Sequence, residues 1–293
     1  MTGPDQDRQS QAEAPGLGPL GGVGWDCHIH VFGDPGRFPF AEERRYTPPV
    51  AGPEAASAFL DGLAARFAVL QQASVYGSDN ACLLWALERL AGRAVGVMQL
   101  PAKVPSTAEL ERLTQLGVRG IRLHLADCKT EGLTETVHRY AGPGWHLDVH
   151  AISASFEALE RLMAGVTLPV ALDHFGGLAP GRDGSIPPLL GRWLDSGTVW
   201  LKLSAPYRVA GLQPARVAAY VAALVERWPE RCLWGSDWPH TPLHPTSDAE
   251  RLSPRPFRQI DTAALARSAL SGLTSAQRQA VLCAAPASLY GAL

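Results

Sequence analysis

The stretch Trp25-Asp26-Cys27-His28-Ile29-His30-Val31 is apolar and strand-like, and it carries two histidines two positions apart. Side chains at positions i and i+2 of a strand point to the same face, so His28 and His30 are expected to aim the same way. Two converging imidazoles supply half of a metal site. The stretch therefore predicts a first strand whose end carries chemistry, although a His-x-His pair can also be two ordinary polar residues.

Short apolar runs continue downstream, and helical patterns separate most of them. The predicted strands are residues 25–32, 69–76, 94–100, 118–125, 146–151, 169–174, 199–205 and 232–238. The predicted helices are residues 55–67, 80–90, 106–116, 134–140, 156–163, 187–195 and 214–228, with a final helix over 275–293. Strands that alternate with helices imply right-handed crossovers and a parallel sheet. Eight such units predict an α/β fold of the (β/α)8 TIM-barrel type. An open doubly wound sheet is the alternative, but no GxGxxG motif follows the first strand.

The length fits one domain of this kind. The chain has 293 residues, and a barrel needs about 250. Residues 1–22 are rich in glycine, proline, glutamine and alanine, so we expect a disordered or loosely attached tail there and the barrel over 23–293. The net charge of −2 favours neither nucleic acid nor another polyanion as a partner.

The cysteines and the apolar runs bear on location. The five cysteines are an odd number without a CxxC pair, which argues against a disulfide framework and favours the reducing cytoplasm. No run of about 18 apolar residues predicts a membrane span, and the first residues lack the apolar core of a secretory signal. We expect a small-molecule substrate and leave assembly into a homo-oligomer open.

Ionisable residues crowd the ends of the predicted strands, where the active sites of barrels lie. Six of the nine histidines fall within those strands rather than in helices or loops. The groups concerned are His28, His30, Arg122, His124, His146, Asp148, His150, Asp173, His174 and Asp237. This concentration indicates a metal-dependent or metal-derived hydrolase.

A histidine pair, a further histidine and an aspartate form a chemically sensible set. Neutral imidazoles and a carboxylate suit Zn²⁺ or a similar divalent ion, which lowers the pKa of bound water to about 7. A carboxylate beside that water can take its proton and later return it to a leaving group. A further histidine or an arginine can polarise the carbonyl under attack.

Several motifs carry a resemblance to a known family. WDCHIH at 25–30, LDHFG at 172–176 and WGSDWPH at 234–240 resemble the amidohydrolase superfamily, in its amidohydrolase-related branch. SVYGSDN at 74–80 and GIR at 120–122 are similar to 2-pyrone-4,6-dicarboxylate lactonases and to related sugar-lactone and muconolactone hydrolases. The resemblance runs from about Trp25 to the end of the chain.

The resemblance implies roles for individual residues. His28 and His30 match the first-strand pair, His174 matches the sixth-strand histidine, and Asp237 matches the aspartate that activates water. Tyr46 and Ser74 match substrate-contacting positions, and Arg122 matches an arginine that grips a substrate carboxylate, a task that suits its planar fork of donors. Two further substrate contacts are predicted from position: His124 shares the strand face of Arg122, and Arg208 follows the seventh predicted strand.

The sequence departs from this lactonase pattern in its cations. The pyrone-dicarboxylate lactonases have one arginine shortly after the equivalent of Arg122 and another directly after the Asp-His-x-Gly motif. Here the first stretch reads LHLADC at 123–128, and Gly177 stands at the second position. With fewer cations a dicarboxylate would be poorly neutralised, so we expect a less charged lactone.

The second departure concerns the metal. That lactonase subgroup works without a divalent ion and has tyrosine at the fifth-strand position where this chain has His150. Metal-bearing relatives, including decarboxylases of the same branch, use the first-strand pair, a fifth-strand histidine and the eighth-strand aspartate as ligands. The hypothesis is therefore that His28, His30, His150 and Asp237 hold one divalent ion, Zn²⁺, while His174 polarises water or substrate.

These observations predict a hydrolase that opens a lactone, or a similar ester, of a small carboxylated or sugar-acid substrate, with water activated by Asp237. A metal-dependent, non-oxidative decarboxylase of an aromatic or muconate-type acid is the alternative on the same scaffold. The third interpretation is a barrel with no catalytic activity, which would serve as a binding or scaffold protein. The buried ionisable set counts against it, because such groups are costly to desolvate.

Overall fold

The computed structural model describes residues 18–127, 131–242 and 248–291. Residues 1–17 of the predicted tail lie outside this part of the chain. The remainder of that tail, 18–22, is attached to the barrel: Leu20 is only 1% exposed, and its backbone N–H donates to the carbonyl of Leu63. Among the described residues no helix is both long and apolar enough to cross a membrane.

Eight parallel strands form one sheet in chain order, as predicted. They are β1 (Gly24–Ile29), β2 (Ala65–Gln71), β3 (Ala94–Gln99), β4 (Val118–His124), β5 (His146–His150), β6 (Val170–Leu172), β7 (Val199–Ser204) and β8 (Cys232–Gly235). Backbone hydrogen bonds join the last strand to the first: Asp237 N–H donates to the His28 carbonyl and His30 N–H to the Trp238 carbonyl, both at 2.8 Å. The sheet is a nearly closed (β/α)8 barrel in a single domain, and the open doubly wound alternative is excluded.

Helices follow the strands and cover the outside of the barrel. They are α1 (Pro53–Leu63), α2 (Ala81–Arg89), α3 (Thr107–Leu116), α4 (Leu133–Tyr140), α5 (Phe156–Gly165), α6 (Pro188–Asp195), α7 (Val217–Arg227), α8 (Asp248–Leu252), α9 (Thr262–Ala269), α10 (Ser275–Gln279) and α11 (Ala285–Tyr290). A π-helical turn, Ala280–Ala284, joins the last two, so the predicted C-terminal helix is a helix interrupted by a wider turn.

The second strand begins earlier than predicted. The helical pattern over 55–67 runs on through Ala64 and Ala65 because alanine has the highest intrinsic helix propensity, which tertiary packing overrides here. In the structure α1 ends at Leu63, and Ala64 takes the left-handed conformation with φ 53°. β2 therefore starts at Ala65, and residues Ser74–Tyr76, predicted as strand, form a 3₁₀ turn above the barrel.

The interior of the barrel has an apolar floor and a polar upper part. The floor is a buried cluster that includes Val69, Val95, Trp200 and Tyr290. Cys27 belongs to this inner cluster, whereas strict alternation predicts that it points away from the side chains of His28 and His30. The register of β1 against β2 is irregular between Asp26 and Ile29, which lets Cys27 and the histidines share the inside.

Candidate active site

Four predicted residues meet at the C-terminal rim of the barrel. The Nε2 atoms of His28, His30 and His174 lie 3.6, 3.5 and 3.9 Å from Oδ1 of Asp237. All four side chains are buried. They come from strands far apart in the chain, so the closure of the sheet brings them to one point.

The backbone bends sharply where His174 and Asp237 leave their strands. Both residues have positive φ angles, 51° and 66°, in the left-handed region that non-glycine residues seldom adopt. Strained backbone of this kind persists only where the surrounding structure holds it, and it concentrates at functional sites. The approach of β8 to β1 is also close, because a Cβ atom added to Gly235 would lie 2.7 Å from the Cβ of His28. Glycine is therefore required there.

The ring of His30 has a defined tautomer. Its Nδ1 lies 2.9 Å from the backbone carbonyl oxygen of Gln71, which can only accept, so Nδ1 carries the proton and donates. Burial lowers the pKa of His30 below its ordinary value, which leaves the ring neutral at pH 7. The Nε2 lone pair of His30 therefore faces the carboxylate of Asp237.

A carboxylate lies beneath His28, at a short distance but outside the hydrogen-bond geometry that places His30. Its Nδ1 lies 3.1 Å from Oδ1 of Asp173, which favours a proton on Nδ1. Burial lowers the pKa of His28 to about 4, against the opposing pull of Asp173. A second imidazole lone pair thus points at Oδ1 of Asp237. Lone pairs of neutral rings and a carboxylate oxygen cannot bond one another, so this point suits a cation or a proton donor such as water.

His174 is held by Ser204 at the end of β7. The Ser204 hydroxyl lies 2.8 Å from Nδ1 of His174 and accepts from the His174 backbone N–H at 3.3 Å. Burial lowers the pKa of this ring well below its ordinary value. The third imidazole at the site is therefore neutral as well.

The other oxygen of Asp237 is bound from the β7 side. Oδ2 accepts from Arg208 Nε at 2.7 Å and from the Tyr207 hydroxyl at 2.8 Å. Burial alone would raise the pKa of Asp237, but the neighbouring Arg208 guanidinium holds it well below its usual range. Asp237 is ionised at neutral pH, and only Oδ1 faces the three histidines.

Four residues of this arrangement are absent from the predicted site: Tyr207, His240, Thr241 and Thr262. Tyr207 accepts from His240 Nδ1 at 3.0 Å while it donates to Asp237, and His240 Nε2 accepts from Thr262 Oγ1 at 2.6 Å. Thr241 receives both hydrogen bonds of Arg208 NH2, at 2.7 Å each. The only sequence signal for Tyr207 is its place directly before Arg208 after the seventh strand.

A small pocket of about 60 Å³ opens over Asp237. All predicted substrate contacts line the pocket. Asp237 and two of the three histidines that converge on it, His30 and His174, line it as well. The lining residues are His30, Tyr46, Ser74, Arg122, His124, His150, His174, Arg208, Asp237 and Thr241.

Arg122 is held from below rather than fully presented to this pocket. Its NH1 donates to the Gln72 carbonyl at 2.9 Å and its NH2 to Asp173 Oδ2 at 3.0 Å. Its Nε is buried and finds no hydrogen-bond partner among the described residues. Arg208 is likewise engaged by Asp237, so both arginines predicted to grip substrate also bind the buried aspartates.

Three donor side chains lie close enough together to hold a metal ion, and this set differs from the predicted ligand set. Donor atoms of His28, His174 and Asp237 all lie within 4.8 Å of one another. Among the described residues this group includes neither His30 nor His150, although the His150 ring centre is 5.5 Å from that of His174. Neutral imidazoles and an ionised carboxylate are donors that Zn²⁺ accepts, so the residues fit a divalent ion.

Comparisons with known proteins give the same family as the motifs. A curated 4-sulfomuconolactone hydrolase from Rhizobium radiobacter is 34% identical over 227 residues, which cover 74% of this chain and 76% of that protein. A 2-pyrone-4,6-dicarboxylate hydrolase from Comamonas testosteroni is 33% identical over 243 residues, 77% of this chain and 79% of that one.

Solved structures show the same similarity. A protein from Pseudomonas putida that carries the provisional name 2-pyrone-4,6-dicarboxylic acid hydrolase superposes with a TM-score of 0.71 at 30% identity, covering 92% of this chain and 97% of that one. The family model described as Amidohydrolase matches residues 25–292. The match spans the whole barrel, and the chain belongs to the amidohydrolase family.

Proposed function

We propose that this amidohydrolase opens a small carboxylated lactone by adding water to its ester carbonyl. The observation that carries the proposal is the convergence of three neutral imidazoles on one oxygen of an ionised aspartate, inside a pocket that two arginines line. The curated relatives are named as hydrolases of 2-pyrone-4,6-dicarboxylate and of 4-sulfomuconolactone, both of them acidic lactones.

Asp237 acts as the base. Its Oδ1 takes a proton from water as the water oxygen attacks the lactone carbonyl, and the carbonyl electrons move onto oxygen. The ester C–O bond then breaks, and Asp237 returns the proton to the leaving alkoxide, which gives a hydroxy acid. Arg208 and Tyr207 hold Oδ2, so Oδ1 keeps its orientation through both steps.

The pocket favours a substrate with few negative charges. Arg122 and Arg208 already neutralise Asp173 and Asp237, so less of their positive charge is left for a substrate than in a free guanidinium. The unpartnered Nε of Arg122 supports one hydrogen bond to a substrate oxygen. Tyr46, Ser74, His124 and His150 add polar contacts without a formal charge, which suits a monocarboxylate or a sugar-acid lactone.

We further propose that His28, His174 and Asp237 hold one divalent ion, Zn²⁺, with His30 beside them. Bound there, the ion would lower the pKa of water and polarise the carbonyl. Asp237 and the lone pairs of His28 and His30 are arranged for a positive occupant. Metal analysis of protein purified without chelator tests this part alone.

The test of the function is a panel of aldonolactones, muconolactones and pyrone carboxylates. Hydrolysis releases one proton for each carboxylate formed, and the product is heavier than the substrate by one water. The decarboxylase alternative instead predicts release of CO₂ from a muconate-type or aromatic acid. Turnover of no lactone in the panel, or CO₂ as a product, would reject the proposal.

Two further proposals concern the cellular compartment and the oligomeric state. Cys27, Cys82, Cys232 and Cys283 are free thiols, which supports a reducing compartment, the cytoplasm. Assembly into a homo-oligomer is to be measured by light scattering.

A further inference from the structure

A lysine is buried in the middle of the barrel, where branched apolar side chains usually fill the space. Lys202 lies on β7 and is 0% exposed. Its ammonium group makes a close ion pair with Oδ2 of Asp148 on β5, and Gln71 donates to the same oxygen at 2.9 Å. Lys202 and Asp148 are both fully buried, so this layer of the barrel contains an ion pair shielded from solvent.

Lys202 has a second partner nearer to the active site. Its Nζ lies 3.3 Å from Oδ1 of Asp173, the residue that follows β6. Arg122 binds the other oxygen of Asp173 at 3.0 Å. Two cations therefore face one buried carboxylate: Arg122 hydrogen-bonds its Oδ2, and Lys202 lies in ion-pair contact with its Oδ1.

Asp173 transmits this placement to the catalytic group. The oxygen that faces Lys202 is also the one that lies 3.1 Å from Nδ1 of His28. We propose that Lys202 is a positioning residue: by holding Asp173 it keeps the proton of His28 on Nδ1 and the Nε2 lone pair of His28 directed at Asp237. The expected effect on kcat rests on the proposed function, whereas the expected tautomer of His28 does not.

A role in stability alone does not account for Lys202. Replacing a buried ion pair by apolar side chains of similar size is often neutral or stabilising, so the barrel gains little from keeping one. The pair with Asp148 balances the charge of Lys202. The contact with Asp173 is additional to that pair and leads directly to the site.

The test compares three variants. Lys202→Met leaves Asp148 buried without its cation and is expected to lower the melting temperature strongly. Lys202→Met/Asp148→Asn removes both charges, so the melting temperature is expected to return near that of the wild type. Asp148→Asn is the matched control, because it keeps Lys202 beside Asp173.

The readouts are kinetics and histidine NMR. On the panel lactone that the wild type hydrolyses fastest, the double variant is expected to lose about 10- to 100-fold in kcat with little change in KM, as support residues of this kind do. Asp148→Asn is expected to stay within about 3-fold of the wild type. In ¹⁵N spectra of histidine-labelled protein, with His28 assigned from His28→Asn, the wild type is expected to show Nδ1 protonated and the double variant a mixture of tautomers.

Either of two results would overturn the inference. A double variant with the wild-type kcat and an unchanged His28 spectrum would mean that Lys202 only balances Asp148. A double variant that does not fold would mean that the barrel itself needs the lysine. If the wild type hydrolyses no lactone, the proposed function fails, while the His28 spectrum still decides the role of Lys202.

Discussion

Replacement of Arg208 by methionine should move the pH dependence of the reaction. Arg208 donates through Nε to Oδ2 of Asp237 at 2.7 Å, and its side chain is only 15% exposed. Methionine keeps much of the volume of the arginine stem and removes the charge. Asp237 can act as a base only while it is ionised, so any rise in its pKa inactivates the enzyme at low pH.

The size of the shift follows from the distance between the charges. At a separation of about 4 Å between charge centres and an effective dielectric constant of about 20, the attraction is about 4 kcal/mol. That energy corresponds to about 3 pKa units at most, since one unit is about 1.4 kcal/mol. The sign is fixed: Arg208 lowers the pKa of Asp237, and its removal raises it. The acidic limb of kcat/KM should therefore move to higher pH, by up to about 3 units.

The assay is kcat/KM between pH 4 and 9 on the best lactone of the panel. Arg208→Lys keeps a charge near Asp237 and should shift the limb by less than about 1 unit. Arg192→Met removes an arginine whose pair with Glu160 is exposed, and it should leave the profile unchanged. An acidic limb in Arg208→Met at the wild-type position would refute the claim that this ion pair sets the ionisation of Asp237.

Three further predictions test the surroundings of the site. Tyr207→Phe removes a 2.8 Å hydrogen bond to a carboxylate, worth about 1.5–3 kcal/mol, so kcat should fall about 10- to 100-fold; a wild-type kcat contradicts the assignment. Gly235→Ala places a methyl group 2.7 Å from the His28 Cβ and should cost about 1–3 kcal/mol in urea unfolding, whereas Gly62→Ala, with open space around it, should cost nothing; equal effects contradict the packing argument. His174→Asn should lower bound divalent ion at least about tenfold by elemental analysis, and His150→Asn should not; the reverse would favour the ligand set expected from the family.

The fold was predictable because its signals are local. Apolar runs of strand length and helical periodicities can be read from short windows, and eight repeats leave few topologies open. The start of β2 was missed for the same reason. Ala64 and Ala65 continue a helical pattern, and only the packing of Leu63 against the barrel shows where the helix ends.

The candidate site was predictable as a set of residues but not as a network. His28, His30, His174 and Asp237 stand at strand ends, and closure of a parallel barrel brings such ends together. The partner of Arg208 was not predictable, because a turn after β7 aims it at Asp237 rather than at open space.

The direction of Cys27 was equally hidden from the sequence. The alternation of side chains between the two faces of a strand breaks down where the register is irregular, as it is between Asp26 and Ile29. No local pattern of residues predicts such an irregularity.

In the proposed reaction, Oδ1 of Asp237 removes the proton from the attacking water. The decisive experiment measures kcat for Asp237→Asn on the best lactone, with thermal unfolding to show that the barrel is intact. Loss of the base predicts a fall of at least about 100-fold in a folded protein. A folded Asp237→Asn protein that turns over the lactone within a few-fold of the wild type would contradict the claim.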